Sequence, residues 1–280
     1  MTSTLRERAL ELLRERDANR KATESRGLDP RGDVGAQTVL ANSSGIPGRP
    51  VLPVLVAHTK LRQRSIHTLA GRAALIHALA HIELNAIDLA LDVCWRFAGM
   101  PDLFYRQWID VAREEALHFE LLRDHLHSLG FAYGDFPAHG ALWEMAEKTS
   151  HDLLARLALV PRTLEARGLD ASPAVRARLI AAGDQRAGDI LDVILRDEIK
   201  HVAVGNQWYG VLCEQRGLDP VATYAQLALA YGAPRLRGPF NYEARRAAGF
   251  SEIELQCLRK AEHDKACESP MRAGSPAKPC

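Results

Sequence analysis

Between residues 68 and 98 the apolar positions step by three and four through Leu69, Ala73, Ile76, Ala80, Ile87 and Ala90. That spacing predicts an amphipathic α-helix. Pro101 and Asp102 end it and open a second helix, 102–129, striped by Phe104, Trp108, Val111, Leu122 and Leu126. A third is expected over 139–168, kinked at Pro161, then interrupted by "GLDASP" before a short helix at 173–182. "AGD" at 182–184 caps a fourth reaching Glu214, and "RGLDP" stops it. Four long helices with short joins predict an all-α fold, an antiparallel four-helix bundle with additional N- and C-terminal segments.

The flanks read differently. Residues 3–25 carry Leu5, Ala9, Leu12 and Leu13 on one side of a charged helix, a docking or dimerising arm, and a Gly/Pro-rich linker follows. The predicted organisation is an arm and linker over 1–64, the bundle over 65–216, a C-terminal extension over 217–264 (a loop and one more helix), and a tail of disordered composition over 265–280.

Polar residues interrupt the buried stripes at a few places. Glu83 sits in the first stripe, Glu115 and His118 in the second, and Glu198 and His201 in the fourth, within "DEIKH". A buried ionised carboxylate without a partner costs many kcal/mol, so such groups are paired, protonated or bound to a cation. Glu at i and His at i+3 aim a carboxylate and an imidazole at the same point, and two such pairs on facing helices would ligate two metal ions. Each ion needs at least one more carboxylate. Glu83 lies 32 residues before Glu115, and Glu165 lies 33 before Glu198, the interval that returns an antiparallel helix to the same height. An isolated E-x-x-H is no more than composition supplies; the matched halves are what single this set out. Glu165 lies between Pro161 and Gly168, and Glu147 and His151 are its substitutes. His77 and His81 read as hydrogen-bonding neighbours rather than ligands, Glu114 and His125 as solvated, and Asp197 as a carboxylate that orients a ligand imidazole on a neighbouring helix.

Composition narrows the rest. With 36 Lys and Arg against 35 Asp and Glu, net charge indicates neither a nucleic-acid nor a membrane partner. Five cysteines without a C-x-x-C fit reduced thiols, and no signal peptide or long apolar run is read, so the expected location is cytoplasmic.

The set Glu83, Glu115, His118, Glu165, Glu198 and His201 resembles that of the ferritin-like superfamily of di-iron carboxylate proteins. The phrases "RAALIHALAHIELNAIDLALD", "FYRQWIDVAREEALHFELL", "ALVPRTLEARGLD" and "RDEIKHVAVGNQWY" resemble the bacterial family catalogued as domain of unknown function 455. "LEARG" is also similar to a phrase of a bacterial tRNA hydroxylase. The resemblance implies two iron ions, with manganese an alternative, and an O2-dependent oxygenase or hydroxylase acting on an unknown substrate with an external electron donor. Glu115 and Glu198 would bridge, and Glu83 and Glu165 would be terminal. Two other readings stay open: a ferroxidase or peroxide-reducing protein of the rubrerythrin kind, and a metal-free helical scaffold, with a homodimer possible.

Overall fold

The computed structural model describes residues 3–41, 44–62 and 64–268. Thr4 opens the first helix, α1 (Leu5–Arg14), with a reciprocal cap: its hydroxyl accepts from the Glu7 amide and the Glu7 carboxylate accepts from the Thr4 amide. Where the sequence predicts one helix over 3–25, there are two. Glu15 accepts from the amides of Arg16 and Asp17, and Asp17 accepts from the Arg20 amide to start α2 (Ala18–Arg26). Side-chain acceptors outcompete the helix at that corner.

Thr68 caps α3 (Leu69–Arg96), and five residues join it to α4 (Asp102–Ser128). Packed helices with so short a join are antiparallel. Ile76, Ala80, Ile87, Phe119 and Leu122 are fully buried between them and their neighbours. α3 is long and apolar enough by composition to cross a membrane, but 67% of its most apolar window is buried inside the protein.

The third rod departs most from expectation. The helix predicted from 139 is a separate α5 (Ala141–Lys148), ended by a turn. The rod begins at α6 (Leu153–Leu159), widens into a π-helical turn at Val160–Glu165, and continues without a break as α7 (Ala166–Ala181). Gly168 to Pro173, predicted to interrupt it, is helical throughout. Pro173 has no N–H to offer the Leu169 carbonyl one turn back, and the Asn241 side chain donates to that carbonyl at 3.3 Å instead. The irregularity falls at Pro161, where Thr163 Oγ1 donates to the Ala158 carbonyl at 2.8 Å. Asp184 caps the fourth rod, α8 (Gln185–Gln215).

The flanks grip the bundle through buried cations. Arg6 donates to the Cys94 and Trp95 carbonyls at 2.8 and 2.9 Å, satisfying the last turn of α3. Lys21 pairs with Asp88 of α3, and Arg156 of the third rod with Asp92. At the C-terminal side, where one helix was predicted, lie α9 (Pro220–Ala230), α10 (Tyr242–Ala247) and α11 (Glu252–Glu268). Phe240, Ala244, Phe250 and Leu255 pack there against Ala166, Leu169 and Val202. Arg245 binds Asp170, and Arg162 pairs with Glu254 and lies over the Phe250 ring at 5.2 Å, so this extension clamps the π-helical rod. Of the tail predicted over 265–280, residues 265–268 belong to α11, and the remainder lies outside the described residues.

Gly205 of α8 faces the kink, and a Cβ there would sit 2.5 Å from Pro161 Cβ and 2.6 Å from its Cγ. Neither ring atom can rotate away. Gly205→Ala is therefore expected to cost about 1–3 kcal/mol in thermal or denaturant unfolding. Gly210→Ala, on the same helix with open space around it, should be neutral or stabilising by up to about 1 kcal/mol. Equal stability of the two variants would contradict the close fit.

Candidate metal centre

α3, α4, the third rod and α8 each send a carboxylate inward. One donor atom from each of Glu83, Glu115, His118 and Glu198 lies within 4.8 Å of the others, and all four residues are buried. This group could hold a metal ion. The Glu115 carboxylate spans two imidazoles: Oε1 is 2.8 Å from His201 Nδ1 and Oε2 is 3.4 Å from His118 Nδ1. Glu83 Oε2 approaches His118 Nδ1 at 3.3 Å, and Glu198 Oε1 approaches His201 Nδ1 at 4.0 Å.

Glu165 stands outside that four-residue group but within reach of its charges. As a residue it is partly exposed, but its Oε2 is sealed from solvent, and the charges of Glu115 and Glu83 act on it. The third rod runs on past Gly168, so no break follows Glu165.

The outer nitrogens follow a crossed pattern. His118 of α4 meets Asp197 of α8 at 3.3 Å through Nε2, and His201 of α8 meets Glu114 of α4 at 2.8 Å through Nε2. The acid preceding Glu115 serves the histidine of α8, and the acid preceding Glu198 serves the histidine of α4. The role expected of Asp197 is therefore seen, whereas Glu114, read as solvated, is bonded to His201. The signal for it was in the sequence: "EEALH" and "DEIKH" share an acid immediately before the glutamate. His125, also read as solvated, is buried and meets Asp184 at 2.9 Å.

The substitutes lie elsewhere. Glu147 accepts from Trp143 Nε1 at 2.8 Å, and His151 meets Tyr231 at 3.2 Å near the surface. His81 meets the Tyr133 hydroxyl at 2.7 Å and has no contact with the cluster. His77 accepts from the Gly134 amide at 2.9 Å.

Electrostatics shows what the site lacks. Burial, then the charge of Glu115, pushes Glu83 and Glu165 up to about 8 and Glu198 well above the usual carboxylate range. Against the cost of burial, His201 and His118 hold Glu115 far below that range, and Glu115 and Glu114 raise His201 to about 10. Oε2 of Glu83, Glu165 and Glu198 are buried without a hydrogen-bond donor among the described residues. Three orphaned carboxylate oxygens beside two inward imidazole nitrogens fit a divalent cation.

The model of the family described as "Protein of unknown function (DUF455)" matches residues 5–256, and the chain belongs to that family. It is also similar to an "Uncharacterized protein" of Haemophilus influenzae, 47% identical over 220 residues that cover 76% of each chain. No solved structure matches.

The raised groups give the metal-free protein a pH dependence of definite sign. Glu83 and Glu165, ordinarily near 4.5, contribute stability that is complete below that value and lost as pH rises toward about 8. His201 acts in the same direction between 6.5 and about 10. The lowered group, Glu115, loses its contribution only in acid. Protein stripped with chelator should therefore lose stability from pH 5 to 9, with a slope on the order of 1 kcal/mol per pH unit for each group that ionises. Divalent metal should flatten the curve and release protons on binding. Matching unfolding profiles with and without metal would count against the assignment.

Proposed function

We propose that this DUF455 protein is a di-iron carboxylate protein of the ferritin-like kind, and an oxidoreductase that uses dioxygen on an organic substrate. The observation that carries this reading is the trio of buried, donor-free carboxylate oxygens on Glu83, Glu165 and Glu198, set against the inward nitrogens of His118 and His201. Such a donor set in a helical bundle suits a pair of ions, each with one imidazole, with Glu115 and Glu198 shared between them and Glu83 and Glu165 at the ends. Oxygen and imidazole donors suit iron, and manganese as well. Bound iron would supply the binding and reduction of dioxygen, with electrons from an external donor.

The protein's own part is placement and exclusion of water. Asp197 and Glu114 hold the two imidazoles by Nε2, which leaves each Nδ1 facing the carboxylates, where on losing its proton it would offer a lone pair to an ion. Ala80, Ile87, Ala112 and Phe119, all fully buried, belong to the helices that carry the ligands and keep their packed faces dry. A bare bundle would suffice to hold the ions. The arm and the C-terminal extension add surface that an enzyme can use to recognise a substrate.

Anaerobic loading with ferrous iron, followed by metal analysis, is expected to give about two ions per chain, and exposure to oxygen should produce the absorption of a di-ferric species. Glu115→Ala with His118→Ala should abolish uptake. No uptake by the native chain, or full uptake by the double variant, would overturn the proposal. Asp197→Ala and Glu114→Ala should each weaken metal binding by about 10–100-fold while the protein stays folded. Unchanged affinity would remove the crossed bonds from the account.

A further inference from the structure

Two clefts open side by side where the N-terminal arm crosses the bundle, and they share Arg16 and Arg49. The larger, about 590 Å³, is walled by Ile46, Leu55 and Trp143. The smaller, about 470 Å³, is walled by Asn19, Arg123 and Tyr133. Three guanidiniums thus converge from three separate segments: the corner between α1 and α2, the strap after it, and α4.

Each is carried on anchored backbone. The amides of Arg16 and Asp17 donate to Glu15 at 2.7 and 2.8 Å. Beside Arg49, the Gly48 amide donates to the Leu13 carbonyl at 2.7 Å and the Gly48 carbonyl accepts from Lys21 at 2.9 Å. A Cβ on Gly48 would lie 2.1 Å from the Arg14 carbonyl oxygen, so the strap is seated as closely as a glycine permits. Arg123 donates to the Asn19 side chain at 3.0 Å.

Apart from Glu144 in the larger cleft, the nearby acids Glu15, Asp17, Asp124 and Glu147 have partners. Glu15 serves those two amides and lies 3.2 Å from Arg20, and Asp17 caps α2. Arg123 is itself paired with Asp124 at 2.8 Å, and Glu147 accepts from Trp143. Arg16 and Arg49 make no salt bridge among the described residues. The two exposed guanidiniums of Arg16 and Arg49, with spare donors, match the oxygens of a phosphate.

We propose that the two clefts form one binding site for a phosphomonoester. Its phosphate lies in the smaller cleft between Arg16 and Arg49, and its organic group lies in the larger cleft against Trp143. The site is separate from the metal centre and does not rest on it. It backs onto the same helix, since Tyr133 packs edge-on against Phe119 at 5.2 Å and Phe119 follows His118.

Titration calorimetry of the full chain with phenyl phosphate, inorganic phosphate and phenol tests the whole site and its halves. Phenyl phosphate should bind saturably and about tenfold more tightly than inorganic phosphate, with no detectable binding of phenol. Arg16→Gln and Arg49→Gln, both at exposed positions, should each weaken phenyl phosphate about tenfold without changing Tm or metal content. A parallel sedimentation assay uses phosphatidylcholine vesicles with and without phosphatidic acid. Binding that requires phosphatidic acid and is lost in Arg49→Gln would assign the phosphate to a lipid headgroup at this same site; its absence alongside phenyl phosphate binding would assign it to a soluble ester. The proposal is overturned by the absence of both kinds of binding, by undiminished binding in both variants, or by inorganic phosphate binding as tightly as phenyl phosphate.

Discussion

A carboxylate removed from water must be given back a proton, a donor or a cation, and the core of this bundle removes four from water: Glu83, Glu115, Glu165 and Glu198. Glu115 is satisfied by two imidazoles. Glu83, Glu165 and Glu198 are left with orphaned oxygens among the described residues. Each unpaired buried charge carries a penalty of several kcal/mol, against a typical net folding stability of about 5–15 kcal/mol. The unfilled demand for positive charge therefore governs the centre of the molecule. Protons meet it in the metal-free state, and a bound metal ion would meet it with positive charge.

The rest of the fold holds these groups in register. The third rod must carry Glu165 past two prolines, and it does so with help from far along the chain. Asn241 takes up the carbonyl released at Pro173, Arg245 binds Asp170, and Gly205 gives the Pro161 ring room to lie against α8. The C-terminal extension thus stabilises the π-helical turn that ends at Glu165. On the opposite flank, Lys21 and Arg6 fasten the arm to α3 at Asp88 and at its last carbonyls. A bundle whose core contains so much polarity needs its outer layers to hold the rods in place.

What the amino-acid order reveals follows from how local each signal is. Glu115, His118, Glu198 and His201 stand out because three-residue spacing on an apolar stripe is a property of a single helix, and Glu83 follows from the length of a hairpin. The continuity of the third rod was hidden. Gly168 and Pro173 look like a break by propensity, and the donor that takes up the Leu169 carbonyl is 72 residues from it. Glu114 was misread for a similar reason: it lies off the stripe of its own helix, and only the approach of α8 turns it into a partner of His201. The single arm helix failed at Glu15 and Asp17, two acids that cap backbone amides more favourably than a continuous helix would.

The central claim is that the carboxylates of Glu83, Glu115, Glu165 and Glu198 enclose metal ions together with His118 and His201. Crystals grown anaerobically with ferrous iron, measured on both sides of the iron absorption edge, test it directly. The account predicts two anomalous peaks inside the bundle, about 3.5–4 Å apart and flanked by Glu115 and Glu198. An iron-loaded crystal with no anomalous peak among these six residues would contradict it.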